Sequence, residues 1–123
     1  MVLILFGSMQ AINVTRKKTL ADVLSTADTI FSSLIGLLGK RNLPHGAGLW
    51  LVPCQSIHTM WMRFPIDVIF LDSEKTVVHL IENMKPFRIS IHVSRAKSVI
   101  ELPAHTITST QTQLGDQIEI AEE

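Results

Sequence analysis

Two rhythms of apolar and polar positions divide the chain. Ala11-Ile12-Asn13-Val14-Thr15 alternates and predicts a strand, because successive strand side chains point to opposite faces. From Ala27 the period lengthens. Ala27, Ile30, Phe31, Leu34, Ile35 and Leu38 form one apolar stripe at helical spacing. Ser25 or Thr26 can cap that helix, and Asp28 suits its positive end. Gly39 and Lys40-Arg41 suit its C-terminus, and Pro44 forbids its resumption. Gly48 to Val52 then reads as a short strand ended by Pro53. Ile66 to Leu71 is the strongest strand signal, followed by a turn at Asp72–Lys75 and a returning strand from Thr76 to Ile81, which together make a hairpin. Ile89, Ile91 and Val93 alternate with Ser90, His92 and Ser94, predicting a half-exposed strand. Ser98 to Leu102 predicts another. Pro103 opens a short helix through Thr110, Leu114–Asp116 is a turn, and Gln117 to Ile120 is a last strand. The expected fold class is α+β: a mostly antiparallel, curled or barrel-like sheet with one main helix and one short helix. The β-α-β rhythm of a doubly wound sheet is missing.

Composition sharpens this. A chain of 123 residues, 46% of them apolar, implies one domain over 1–123 with a substantial core. Eleven basic and eleven acidic residues cancel, so no nucleic-acid partner is expected, and the run Arg16-Lys17-Lys18 reads as a solvated turn. Cys54 is the sole cysteine, so no internal disulfide is expected. The apolar run over residues 1–6 is too short for a membrane span and lacks the basic start of a signal peptide. It reads as a first strand or a tail of a soluble protein, expected in the cytoplasm, the alternative being export after loss of a signal peptide.

Candidate chemistry concentrates in SIHTMWMRFPIDVIFLD, residues 56–72. Cys54, His58, Met60 and Met62 offer thiolate, imidazole and thioether groups, soft ligands that suit copper or zinc. If residues 56–64 are extended, His58, Met60, Met62 and Phe64 share one face; the same row serves equally as core packing. Asp67 sits inside an apolar run, where a carboxylate needs a partner. Arg63 and Arg88 are candidates, as are backbone amides near Pro65. Glu101, between Ile100 and Leu102, raises the same question. His58, Arg63, Asp67, Arg88 and Glu101, walled by Trp61, can converge on a polar pocket for a small anionic ligand or a peptide. The expected function is therefore a non-enzymatic binding or accessory module. A soft-metal protein is one alternative. A small hydrolase is another, using Cys54 with His58 or the carboxylates Asp67 and Glu101, although the chain contains no phosphate loop, nucleophile elbow or dinucleotide fingerprint.

The order of four segments carries a resemblance: GLLGK at residues 36–40, GAGLWLVPCQSIHTMWMRFPIDVIFLD at 46–72, VIELPAHTI at 99–107 and LGDQIEI at 114–120. Together they resemble the domain of unknown function 192 family of bacterial and archaeal proteins. The match falls on Pro53, Cys54, Ser56 to Thr59, Trp61 to Asp67, Glu101 to Ala104 and Gly115-Asp116, and it spans about residues 12–120. Membership implies a compact β-rich domain and brings no established activity. Two departures stand out. Family members commonly carry Arg just before G-L-L, where this chain has Leu34-Ile35. The Gly that usually follows E-L-P-A is His105 here.

Overall fold

The computed structural model describes residues 9–26, 43–60 and 62–122. The helix expected over residues 27–38 lies outside them, as do residues 1–6 and Trp61. Seven strands, β1 (Met9–Asn13), β2 (Lys18–Ser25), β3 (Ala47–Leu51), β4 (Ile66–Leu71), β5 (Val77–Met84), β6 (Ser98–Pro103) and β7 (Ile118–Glu122), form one sheet in the order β5-β4-β6-β3-β2-β1-β7. Neighbours run antiparallel except β2 and β3. The sheet curls into a half-barrel whose two edge strands meet at one end. There the Val77 amide donates to the Asp116 carbonyl at 2.9 Å, and the Ile118 amide donates to the Lys75 carbonyl at 2.9 Å. The described residues are thus largely β, with one short helix, α1 (Thr106–Thr110).

The β4–β5 hairpin forms where the pattern placed it. Its turn closes because the Asp72 carboxylate accepts the Glu74 and Thr76 amides, both at 2.9 Å, while Lys75 takes φ 62. β4 is buried along its whole length because both faces of the sheet are covered. Ile66, Val68 and Phe70 enter a first core with Leu49, Met62, Phe64 and Val99. Ile69 and Leu71 enter a second with Leu24, Ile100, Leu102, Ile107 and Ile118. Each large side chain so buried contributes about 1.5–3 kcal/mol. Gly48 lets β3 pack closely: a Cβ there would lie 3.0 Å from the Leu102 side chain and 3.1 Å from those of Ala21 and Leu24.

Three features depart from the pattern. β2 has no clean alternation; Leu20, Ala21 and Leu24 are its buried positions because register shifts against β1 insert extra residues and break the period. Pro103 ends β6, so α1 begins only at Thr106. Residues 89–93 form no strand. Ile89 makes one isolated bridge, to His58, and the alternation is inverted at its start: Ile89 is 74% exposed and Ile91 63% exposed, while the Ser90 hydroxyl accepts the Ile57 amide at 2.9 Å; Val93 packs against the first core as the pattern expects.

Candidate functional site

Strand alternation decides where Asp67 points. Lying between Ile66 and Val68, it faces the second core and the start of α1. Its side chain is fully buried. One carboxylate oxygen accepts the Asn83 amide at 2.8 Å, and the other accepts the Ile107 amide at 2.8 Å. Ile107 lies in the first turn of α1, whose own N-cap residue, His105, makes no side-chain cap bond. Asp67 therefore caps α1 from across the fold, where a negative group also meets the positive end of the helix. Arg63 and Arg88 are both exposed, and among the described residues neither pairs with Asp67. Of the alternatives the sequence left open for Asp67, the arginines are not its partners; backbone amides are, those of Asn83 and Ile107 rather than any near Pro65.

The motif before β4 folds as one half of a ribbon. Residues 54–59 run against residues 85–97, held by main-chain bonds from Cys54 to Lys97 (3.0 Å), Val93 to Gln55 (2.9 Å), Ser90 to Ile57 (2.9 Å) and Thr59 to Arg88 (2.8 Å). Thr59 is fully buried and clamps one end. Its hydroxyl donates to the Lys85 carbonyl at 2.6 Å and accepts the Arg88 amide at 3.0 Å, while its carbonyl accepts the Phe87 amide at 2.8 Å. Ile57, Met62, Phe64 and Ala96 seat the ribbon on the first core. The chain is not extended over residues 56–64. It turns, with the Met62 amide donating to the Thr59 carbonyl at 3.1 Å, so Met62 is buried while His58 and Met60 are exposed. The row of soft ligands expected from an extended chain does not form.

The outer side of this ribbon is basic and apolar together. Lys85, Arg88, Arg95 and Lys97 are exposed, as is Arg63 nearby. No Asp or Glu occurs from Leu43 to Ile66 or from Met84 to Ile100. Phe87 is 60% exposed and is held at φ 62, a backbone region that costs a bulky side chain energy. Ile89 and Ile91 stand beside it. A groove of about 470 Å³ lies between residues 88–91 and β5.

Cys54 and Glu101 lie apart from that surface, toward the first core. Glu101 pairs in register with Leu49 and Val68, and burial pushes its carboxyl up to about 7. Burial likewise raises the Cys54 thiol; the nearby Glu101 charge adds to the effect, and the backbone at Ser56 partly offsets it. The Cys54 thiol donates to the Ser56 carbonyl at 3.1 Å, and His58 Nδ1 accepts the Met60 amide at 3.4 Å, so each is engaged away from the other. Among the described residues no cluster of three or more His, Cys, Asp or Glu is placed to hold a metal ion.

A network that the sequence pattern did not suggest joins both chain ends. Asp116 is buried and accepts Arg16 Nε at 3.0 Å, the second Arg16 nitrogen at 3.1 Å, Asn13 Nδ2 at 2.9 Å and the Gln113 amide at 2.9 Å. Burial alone would raise this carboxyl, but the Arg16, Asn13 and Gln113 bonds outweigh it and hold it below its ordinary value. Arg16 lies in the β1–β2 turn but its side chain is tied to Asp116 rather than solvated, whereas Lys17, in the same turn, and Lys18, the first residue of β2, are exposed.

The family model for DUF192, described as "Uncharacterized ACR", matches residues 11–120. The chain belongs to the DUF192 family. It is 35% identical over 113 residues to a UPF0127 protein of Thermococcus sibiricus, covering 88% of this chain and 72% of that protein. It is 32% identical over 113 residues to a UPF0127 protein of Pyrococcus furiosus, covering 88% and 95%. A crystal structure of a protein of unknown function from Novosphingobium aromaticivorans shares the fold, with a TM-score of 0.70 at 16% identity, covering 90% of this chain and 82% of that one.

The DUF192 motifs now have positions. The central motif supplies the inner half of the ribbon, Thr59 at its clamp, and the α1 cap Asp67. The final Gly-Asp supplies the buried partner of Arg16. His105, where the DUF192 pattern has Gly, takes φ 77. This is the left-handed region, which glycine would enter without the cost a Cβ brings. No helix among the described residues is long and apolar enough to cross a membrane.

Proposed function

We propose that this DUF192 chain is a non-enzymatic binding module that takes an anionic, partly apolar peptide segment on the outer face of its ribbon. The single observation carrying this reading is the inverted pattern at residues 85–97. Three large apolar side chains, Phe87, Ile89 and Ile91, face outward among four cations, with no acid among them. Folding does not benefit from exposing them, and exposed apolar groups bounded by polar ones mark interaction surfaces. His58, Met60, Arg63 and Arg88 belong to this surface. Asp67, which holds α1, and Glu101 lie apart from it.

The test uses three fluorescein-labelled peptides of about eight residues, a typical strand length. One alternates Glu with Val, one alternates Lys with Val, and one alternates Glu with Ser. Fluorescence anisotropy should show saturable binding for the Glu/Val peptide alone, weakening as salt rises. Arg88→Glu combined with Arg95→Glu should lower that affinity at least tenfold. Equal binding of the Lys/Val peptide would remove the reading.

A further inference from the structure

We infer that the partner segment binds as an added strand along the outer edge of β5, in antiparallel or parallel register. This rests on the ribbon reading above and specifies its mode. β5 is an edge strand of the sheet, eight residues long. Among the described residues its outer backbone bonding is confined to Val77, which meets Gly115 and Asp116. Two register shifts against β4, at Val78 and at Glu82–Asn83, bulge the strand, and Asn83 takes φ 52, so the regular stretch of its edge is His79–Ile81. Neither Pro nor Lys occurs within Val77–Met84; Lys85 and Pro86 follow only after the strand ends. The groove of about 470 Å³ lies against this edge, with Ile81 and Met84 on the strand side and Ile89 and Ile91 opposite.

The charges select the occupant. Lys85 and Arg88 line the groove. Its one acid, Glu82, already accepts the Thr108 hydroxyl at 2.7 Å. An extended segment alternating apolar and acidic residues fits both requirements, since its alternate side chains fall on opposite sides. Its main chain would pair with β5, its apolar side chains would fill the groove, and its acids would meet Lys85 and Arg88. Strand addition is an established mode of peptide recognition, with main-chain bonds giving affinity and pockets giving specificity. A second copy of this chain fits less well, because β5 carries a single acid, Glu82, and offers no row of acids to meet Lys85 and Arg88.

The experiment distinguishes the binding from its mode. The Glu/Val peptide is compared by anisotropy with two versions N-methylated on one or the other alternate set of amides, against the full chain. One methylated version should bind at least tenfold more weakly, because only one set of amides faces the edge; the other should bind within about threefold of the parent. Amide exchange at β5 should slow on binding the parent. If both methylated versions bind like the parent, strand addition is overturned and the ribbon reading survives. If no peptide binds, both fail. Light scattering showing a dimer, with β5 amides protected before any peptide is added, would assign the edge to a second copy and overturn the proposal. Tighter binding of anionic phosphatidylserine vesicles than of the peptide, unchanged by Arg88→Glu, would also overturn it.

Discussion

Replacing Asp67 by Ala tests how α1 is held. The substitution removes two short bonds, to the Asn83 and Ile107 amides, from a fully buried position. Hydrogen bonds to a charged group each contribute about 1.5–3 kcal/mol, and amides left buried without partners add a cost of their own. Relief from burying a carboxylate offsets part of this. The expected net loss is about 3–4 kcal/mol, a large share of the roughly 5–15 kcal/mol that holds a typical domain together. Asp67→Asn keeps the shape and one acceptor but turns an NH2 group toward the other amide, so about half that loss is expected. Urea unfolding at neutral pH measures both, provided the slope against denaturant stays constant. Hydrogen exchange at Asn83 and Ile107 should accelerate more than at the centre of β4. Arg63→Ala, in contrast, should change stability by less than about 0.5 kcal/mol. A loss under about 1 kcal/mol for Asp67→Ala, or a large loss for Arg63→Ala, would refute the capping account and restore an ion pair.

Three further outcomes are expected. Because the Glu101 carboxyl is raised from its ordinary 4.5 to about 7, the folded state holds a proton that the unfolded state has lost between those values. Stability should therefore fall as pH rises through that window, by about 3 kcal/mol at most, and melting curves of Glu101→Gln should lack this fall; parallel pH profiles would contradict it. Asp116 has the opposite sign: its lowered carboxyl contributes stability above its ordinary pKa, and that contribution is lost in acid. Asp116→Asn should cost about 2–4 kcal/mol at neutral pH, with the gap to wild type narrowing near pH 3, and a gap independent of pH would count against the network. His105→Gly should raise stability by up to about 1 kcal/mol by relieving φ 77, and a loss on thermal melting would show that the imidazole does more than occupy the turn.

Where one face of a strand followed one environment, the sequence was easy to read. β4 and its hairpin carried continuous apolar runs closed by a turn-forming Asp, and local chemistry sufficed. β2 was opaque because bulges break the period on which pattern reading depends. The candidate site was less legible as an arrangement. Residues 54–63 read as a dense stretch of candidate ligands, yet the partners of residues 54–59 lie at 85–97, and nothing local to either segment specifies that pairing. The Asp67 partners are backbone amides, which have no side-chain signature at all. The alternation at 89–93 predicted a half-exposed element but not which half faced out; the Ser90 bond to Ile57 made that choice.

The pairing of β1 with β7 bears on how the protein emerges from the ribosome. Met9 lies opposite Glu122, so the first and last described strands are direct neighbours. During synthesis, β1 and β2 can form their hairpin early, but the outer edge of β1 stays bare until residues 118–122 clear the exit tunnel. The Arg16 side chain likewise waits for Asp116. A nascent chain therefore carries an unpaired edge and an unmatched cation until those residues emerge, and a chain cut before residue 116 keeps both.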